Sequence, residues 1–207
     1  KRNWPLGRGF ERFYGFLGGE TSQWNPDLIY DNHPVEQPSQ PEDGYHFSAD
    51  IADKAIEFIS DAKQIAPDKP FFLYWAINAP HYPMQATAKW RERYKDLPSP
   101  RRQYAAFTST VDEKVGELIG TLEALGLRKK TLVIFQSDHG HSTEERAFWG
   151  GGNAGPYRGA KGCLFEGGIR IPSIVSMPGT IPQGQVRDQM AIGCDWFPTI
   201  ATYCGAK

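Results

Sequence analysis

Three short stretches of the sequence combine side chains that do chemistry with backbone able to hold them. Ser137-Asp138-His139-Gly140 follows directly on the apolar run Thr131–Phe135. Asp138 offers a hard carboxylate and His139 an imidazole nitrogen, and neighbours on a turn can face one ion. A carboxylate-dominated site suits Ca²⁺, Mg²⁺ or Mn²⁺, and an Asp–His pair also suits zinc. The same two residues fit a simple cap and a packed ring, so the pair alone leaves both readings open. His81 lies between Pro80 and Pro83, where rigid backbone holds a side chain still. A histidine so placed serves as a general acid, or donates to an anion when protonated. Lys161 stands between Gly159 and Gly162 in a glycine-rich stretch running to Pro172. Glycine lets backbone come close to a ligand, and lysine is a compact cation suited to a sulfate or phosphate oxygen. A solvated lysine on a surface turn is the plainer reading of that stretch. The Walker spacing is absent, and Gly150–Gly155 lacks the strand and helix of a dinucleotide fingerprint.

The elements that must position these residues alternate between helical and buried-strand patterns. Residues 1–48 are rich in Gly, Pro, Asn and aromatics, which predicts loops with a strand or hairpin near Leu28-Ile29-Tyr30. Ser48 is a candidate N-cap, and apolar residues at helical spacing from Ile51 to Ala62 predict an amphipathic helix over 49–64. Phe71–Ile77 is apolar without alternation, the pattern of a strand buried on both faces. A short helix is expected over 86–95. A long one is expected over 101–126, with a stripe from Tyr104 to Leu125 and Gly126 at its C-terminal cap. Thr131–Phe135 predicts a second buried strand, Ile174–Ser176 a third, and Trp196–Tyr203 a helix. This is an α/β pattern. Both strongly apolar strands run into a loop carrying a histidine, and open α/β sheets bind ligands at the carboxyl ends of strands.

Composition removes several function classes. The 207 residues carry 23 Lys plus Arg against 24 Asp plus Glu, a net charge of −1, which excludes a chain-wide basic surface for nucleic acid. The cluster Arg91, Arg93, Lys95, Arg101 and Arg102 reads as a solvated helix face. No apolar run approaches the roughly 20 residues that span a bilayer, so neither nucleic acid nor membrane is an expected partner. The three cysteines, Cys163, Cys194 and Cys204, are too few and odd in number for a disulfide framework. Cys194 and Cys204 would pair only if a helix between them brought them close. Lys1-Arg2-Asn3-Trp4-Pro5, without an initiating Met, reads as the interior of a longer polypeptide.

These three stretches and a fourth, Arg8–Gly19, together resemble the sulfatase family of the alkaline-phosphatase-like superfamily. Arg8–Gly19 is similar to the family's R-G-F-D-x-F-Y-G segment, and Phe71–Pro83 to its strand followed by A-P-H-x-P. Gln136–Gly140 resembles its S-D-N-G or S-D-H-G metal turn, and Arg158–Pro172 its R-G-x-K-x-x-x-x-E-G-G-I-R-x-P stretch. The resemblance implies an alkaline-phosphatase-like α/β/α sandwich with a central, mostly parallel sheet, of which residues 1–207 form part of the catalytic domain. It implies that Asp138 and His139 are metal ligands, with Ca²⁺ the usual ion, that His81 binds sulfate or protonates the leaving oxygen, and that Lys161 binds sulfate. The excursion from His141 to Asn153 is then expected to border the pocket, with His141 a substrate-binding candidate. Its charges and Trp149 suit a sulfated sugar in preference to an aryl sulfate, so the expected partner is a sulfated glycan or small molecule.

The family nucleophile is a formylglycine made in a C/S-x-P-S-R cassette, and none of the three cysteines here stands in one. The resemblance therefore implies that the nucleophile and a first Asp-Asp metal pair lie upstream of Lys1, and a small domain downstream. It implies a sulfuric ester hydrolase of the periplasm or the cell exterior. His139 in place of the commoner Asn keeps open a phosphonate or phosphodiester hydrolase of the same superfamily. A non-catalytic anion- or glycan-binding derivative is the third reading.

Overall fold

A computed structural model describes residues 1–205. The first third is held by a small antiparallel meander of β1 (Tyr14–Gly15), β2 (Leu28–Tyr30) and β3 (His33–Val35), in the order β1-β2-β3. The β2–β3 hairpin expected near Leu28 is present, with Tyr30 opposite His33. Asp31 takes a left-handed φ of 54° in its turn, and its side chain accepts from the Phe13 N–H at 2.9 Å. Asp is among the few residues that tolerate this conformation. Leu28, Tyr45 and Phe47 form a small core there, with Tyr14, Phe16 and Ile51 packed on it.

Helix α1 (Phe47–Ile65) starts two residues before the expected position. Ser48 does not cap it: the N-cap is His46, whose side chain makes no capping bond. The Ser48 N–H and hydroxyl both donate to the buried Gln23 Oε1, at 3.0 and 2.7 Å. A distant amide thus does the work assigned to a local serine. The short α2 (Ala88–Arg93) and long α3 (Arg101–Ala124) follow where the periodicity places them. Gly126 ends α3 as expected, with φ 67°, its N–H on the Glu123 carbonyl at 3.0 Å and the Leu127 N–H on Leu122 at 2.8 Å. That pair of bonds is a Schellman motif, and it needs the left-handed residue that glycine supplies. Phe107 and Val111 of α3 bury against Ala79 and Ala86, with Ile77, Met84 and Trp90 around them.

The apolar run Phe71–Ile77 departs from expectation. It pairs with no strand among the described residues, and its side chains alternate, with Phe72 64% and Tyr74 70% exposed. The two-residue period is that of extended chain, but only one face is covered. Ile77 turns in towards the Phe107 core, while Phe72 meets the tilted ring of Phe10 at 6.1 Å. β4 (Val133–Gln136) also differs, since Phe135 is 39% exposed rather than buried. It pairs antiparallel with β5 (Ser173–Ser176), Val133 opposite Ser176. All pairings among the described residues are antiparallel, and the parallel ones expected of the fold are not among them. A short α4 (Glu166–Ile169) and a C-terminal α5 (Trp196–Tyr203) complete the elements. Cys163, Cys194 and Cys204 are all free and exposed, so the Cys194–Cys204 pairing does not occur. No helix among the described residues is long and apolar enough to cross a membrane.

Candidate functional site

The site is built where β4 ends. The turn Ser137–Gly140 leaves the strand and runs directly under the Gly159–Gly168 loop. The Gly140 N–H donates to the Gly168 carbonyl at 2.9 Å, and a Cβ on Gly140 would fall on the carbonyl oxygen of Gly167. Such an approach admits no larger residue. Two residues past His139, the His141 carbonyl accepts the backbone N–H of Lys161 at 2.9 Å. Backbone hydrogen bonds therefore fix Lys161 beside the Asp138–His139 turn.

Asp138 and His139 face each other, with Oδ2 and Nε2 3.0 Å apart. His139 Nδ1 lies 2.8 Å from the Gly140 carbonyl, which can only accept, so Nδ1 carries the ring proton. A carbonyl on one ring nitrogen is the usual way a metal-ligating histidine is oriented. In the neutral ring, Nε2 then presents a lone pair to the carboxylate. A shared cation, or a second ring proton, satisfies that arrangement. The donor set fits a hard or borderline divalent ion in kind but not in number. Among the described residues no group of three or more His, Cys, Asp or Glu converges, whereas Ca²⁺ takes about 6–8 oxygens.

His81 reaches the same surface from another segment. Its Nδ1 lies 2.8 Å from the Tyr82 carbonyl, which fixes the proton there and leaves Nε2 free to exchange one. Glu20 lies 3.9 Å from the ring. From Glu20 a line of alternating charge runs to Lys161. Arg146 Nη1 meets Glu20 Oε2 at 2.6 Å, Arg146 Nε meets Glu144 Oε1 at 3.3 Å, and Glu144 Oε2 accepts from Lys161 Nζ at 2.7 Å. Arg146 also lies over the Tyr82 ring, 5.8 Å from its centroid. The hydrogen bond from Lys161, then that from Ser142, holds the Glu144 carboxyl down to about 2. The Glu144 charge, followed by the bond to Glu20, raises the Arg146 guanidinium.

His81 and Lys161 are thus brought onto one polar surface, and Asp138 and His139 are next to Lys161 through backbone bonds. His141 contributes its carbonyl, and its ring packs against Gly152. Trp149 belongs to the same excursion. It is 67% exposed, at φ 63°, and borders a cleft of about 590 Å³ with Pro100, Arg101 and Asn153.

Two supporting residues escape a reading of the sequence. Glu20 is one, since nothing local marks it. Gln23 is the other. Fully buried, it accepts from Ser48, donates to Asn78 Oδ1 at 3.2 Å, and gives its backbone N–H to Gln85 Oε1 at 2.7 Å. Asn78 and Gln85 bracket His81, so one amide ties the histidine loop to the start of α1. His46 adds a bond from its ring to the Gln85 carbonyl at 2.8 Å.

Comparison with known proteins bears on this arrangement. The sulfatase family profile matches residues 2–206. Mouse N-acetylgalactosamine-6-sulfatase is 31% identical over 218 aligned positions, covering 98% of this chain and 40% of the mouse protein. Mouse arylsulfatase J is 30% identical, covering 95% of this chain and 33% of its own length. Among solved structures, Ps i-CgsB in complex with k-i-k-neocarrahexaose superposes with a TM-score of 0.88 at 27% identity, covering 100% of this chain and 48% of that one. The PsFucS1 sulfatase from Pseudoalteromonas sp. gives a TM-score of 0.67 at 28% identity, covering 87% of this chain and 36% of its own. The chain spans less than half the length of each of these relatives.

Proposed function

The chain belongs to the sulfatase family, with the α/β fold of its structural neighbours, and on that premise we propose that the protein carrying it is a sulfuric ester hydrolase. Residues 1–207 are then part of its catalytic domain. The observation that carries the reading is the bond from the Lys161 backbone N–H to the His141 carbonyl, which sets the backbone of the candidate anion-binding lysine beside the turn that carries the candidate metal pair. Cleaving a sulfate monoester requires charge on the sulfuryl oxygens to be neutralised and the departing oxygen to be helped away. Lys161 binds and orients a sulfuryl oxygen. His81 gives a proton from Nε2 to the leaving oxygen. Asp138 and His139 would supply two of the ligands of a divalent ion, for which Ca²⁺ is the first choice and Mg²⁺ or Mn²⁺ the alternatives, and the remaining ligands would have to come from elsewhere. When bound, that ion supplies charge stabilisation at the sulfuryl group. The attacking group implied by the family is a formylglycine from a cassette that this chain does not contain.

The proposed substrate class is a sulfated glycan, with His141 lining its site. Support comes from the excursion 141–153, whose cleft joins the exposed Trp149 face to the Arg101 cation. A relative named for N-acetylgalactosamine 6-sulfate and a neighbour holding a carrageenan hexaose lie in the same direction. A periplasmic or secreted location follows by the same family likeness. The test is turnover by the protein at the full length its gene encodes, on matched sulfate and phosphate monoesters, with and without a divalent chelator. Sulfate release that falls with chelation is expected. Preferential cleavage of the phosphate ester would overturn the sulfatase reading.

A further inference from the structure

The ammonium assigned to the sulfuryl group already holds a carboxylate. Glu144 Oε2 lies 2.7 Å from Lys161 Nζ and also accepts from Ser142 Oγ at 3.0 Å. Its other oxygen faces Arg146 Nε at 3.3 Å, and Arg146 is anchored across the site on Glu20 at 2.6 Å. Glu20, Arg146, Glu144 and Lys161 therefore alternate in sign and sum to no net charge. An anion arriving at Lys161 competes with Glu144 for the ammonium. The displaced carboxylate keeps Ser142 and Arg146, so it is not left without partners.

The pair is half-exposed, with Lys161 26% and Glu144 39% accessible at the side chain. Surface ion pairs of this kind add little to stability, so Glu144 stands where it matters for ligand more than for fold. We propose that Glu144 is the resident counter-ion of the sulfate site: it occupies Lys161 when no anion is bound, and Arg146 keeps it aside when one is. This rests on the reading of Lys161 as the sulfate-binding cation. The consequence is a site that holds free sulfate weakly, so that the product leaves. Glu144 and Arg146 act through Lys161 and are positioning residues.

Two variants separate this role from a structural one, because they move sulfate affinity in opposite directions. Glu144→Gln keeps the size and the Ser142 bond but removes the competing charge, and should tighten inorganic sulfate roughly fivefold, the scale of one partly exposed ion pair. Arg146→Gln leaves Glu144 with Ser142 and Lys161 and no competing cation, and should weaken sulfate roughly threefold. Arg146→Lys keeps the charge and should restore affinity to within about twofold. The readout is equilibrium dialysis of radiolabelled inorganic sulfate on the full-length protein, which needs no turnover, with thermal unfolding as a check on folding. Opposite shifts support the counter-ion role. Shifts in the same direction, or none, while Lys161→Ala still weakens sulfate, overturn it and leave the Lys161 assignment standing. Sulfate affinity unchanged by Lys161→Ala, or absent in the wild type, overturns that assignment and the counter-ion with it.

Discussion

Removing the Gln23 side chain should unhinge the histidine loop and cost a large share of the protein's stability. Gln23 is fully buried, and its amide accepts from the Ser48 N–H at 3.0 Å and hydroxyl at 2.7 Å while donating to Asn78 at 3.2 Å. Gln23→Ala leaves the Ser48 N–H, one of the orphan donors of the first turn of α1, without a partner or water. One such buried group costs about 1–3 kcal/mol. The void left by the missing side chain adds about 1–2 kcal/mol. The total, about 2–5 kcal/mol, is set against a typical stability of roughly 5–15 kcal/mol. Gln23→Met fills the volume without the polar atoms and should lose only the hydrogen-bond part, about 2 kcal/mol. Ser48→Ala removes one hydroxyl bond and leaves the N–H bond, about 1 kcal/mol. Urea unfolding at constant m reads all three. The expected order of loss is Gln23→Ala, Gln23→Met, Ser48→Ala. Equal losses for Gln23→Ala and Ser48→Ala would refute Gln23 as the hub.

Burial pushes the His46 imidazole below the usual histidine range, while the unfolded chain takes a proton near pH 6.5. As pH falls through about 6.5 the unfolded state binds the proton first, so stability present above that pH declines until the lower folded value is reached. Urea midpoints at pH 7.5 and 5.5 should therefore diverge more in the wild type than in His46→Asn, and identical pH dependence would refute the assignment. If His81 protonates the leaving oxygen, His81→Ala should slow a sugar sulfate far more than an activated aryl sulfate. Equal loss on both substrates would reduce it to a binding role. Residues 1–207 expressed alone should aggregate, because Phe72, Tyr74, Leu164, Val186, Met190 and Phe197 are all more than half exposed. Light scattering that shows a stable monomer at high concentration would contradict this.

What could be read from sequence was what local chemistry determines. The stripe of α3 as far as Leu122 and the glycine that stops it follow from a 3.6-residue period and one left-handed position, and both are present, whereas Leu125, expected on the stripe, is 43% exposed. The β2–β3 hairpin follows from a short apolar run beside Asp31. Phe71–Ile77 failed because an apolar run does not say which layers cover it, and here the outward face carries Phe72 and Tyr74 into solvent. Ser48 failed because the cap signal is local and its partner is 25 residues away. At the candidate site, Lys161, Asp138 and His139 stood out in the sequence because glycines or a strand end frame them. Glu144 and Arg146 were visible only as charges on an excursion. Their bridge to Glu20 joins residues 126 apart, a pairing that neither spacing nor composition encodes.

In the proposed reaction Lys161 holds the sulfuryl group during ester cleavage, and kcat for sulfate release from the full-length protein with Lys161→Ala measures that role. Losing one electrostatic contact to the reacting group typically costs on the order of 100- to 1,000-fold in kcat. Lys161 is partly exposed and its side-chain nitrogen bonds only Glu144 among the described residues, so the unfolding midpoint should hardly move. A loss of that size in a protein that still folds is the expected result. Turnover within about tenfold of wild type, with the fold intact, would contradict it.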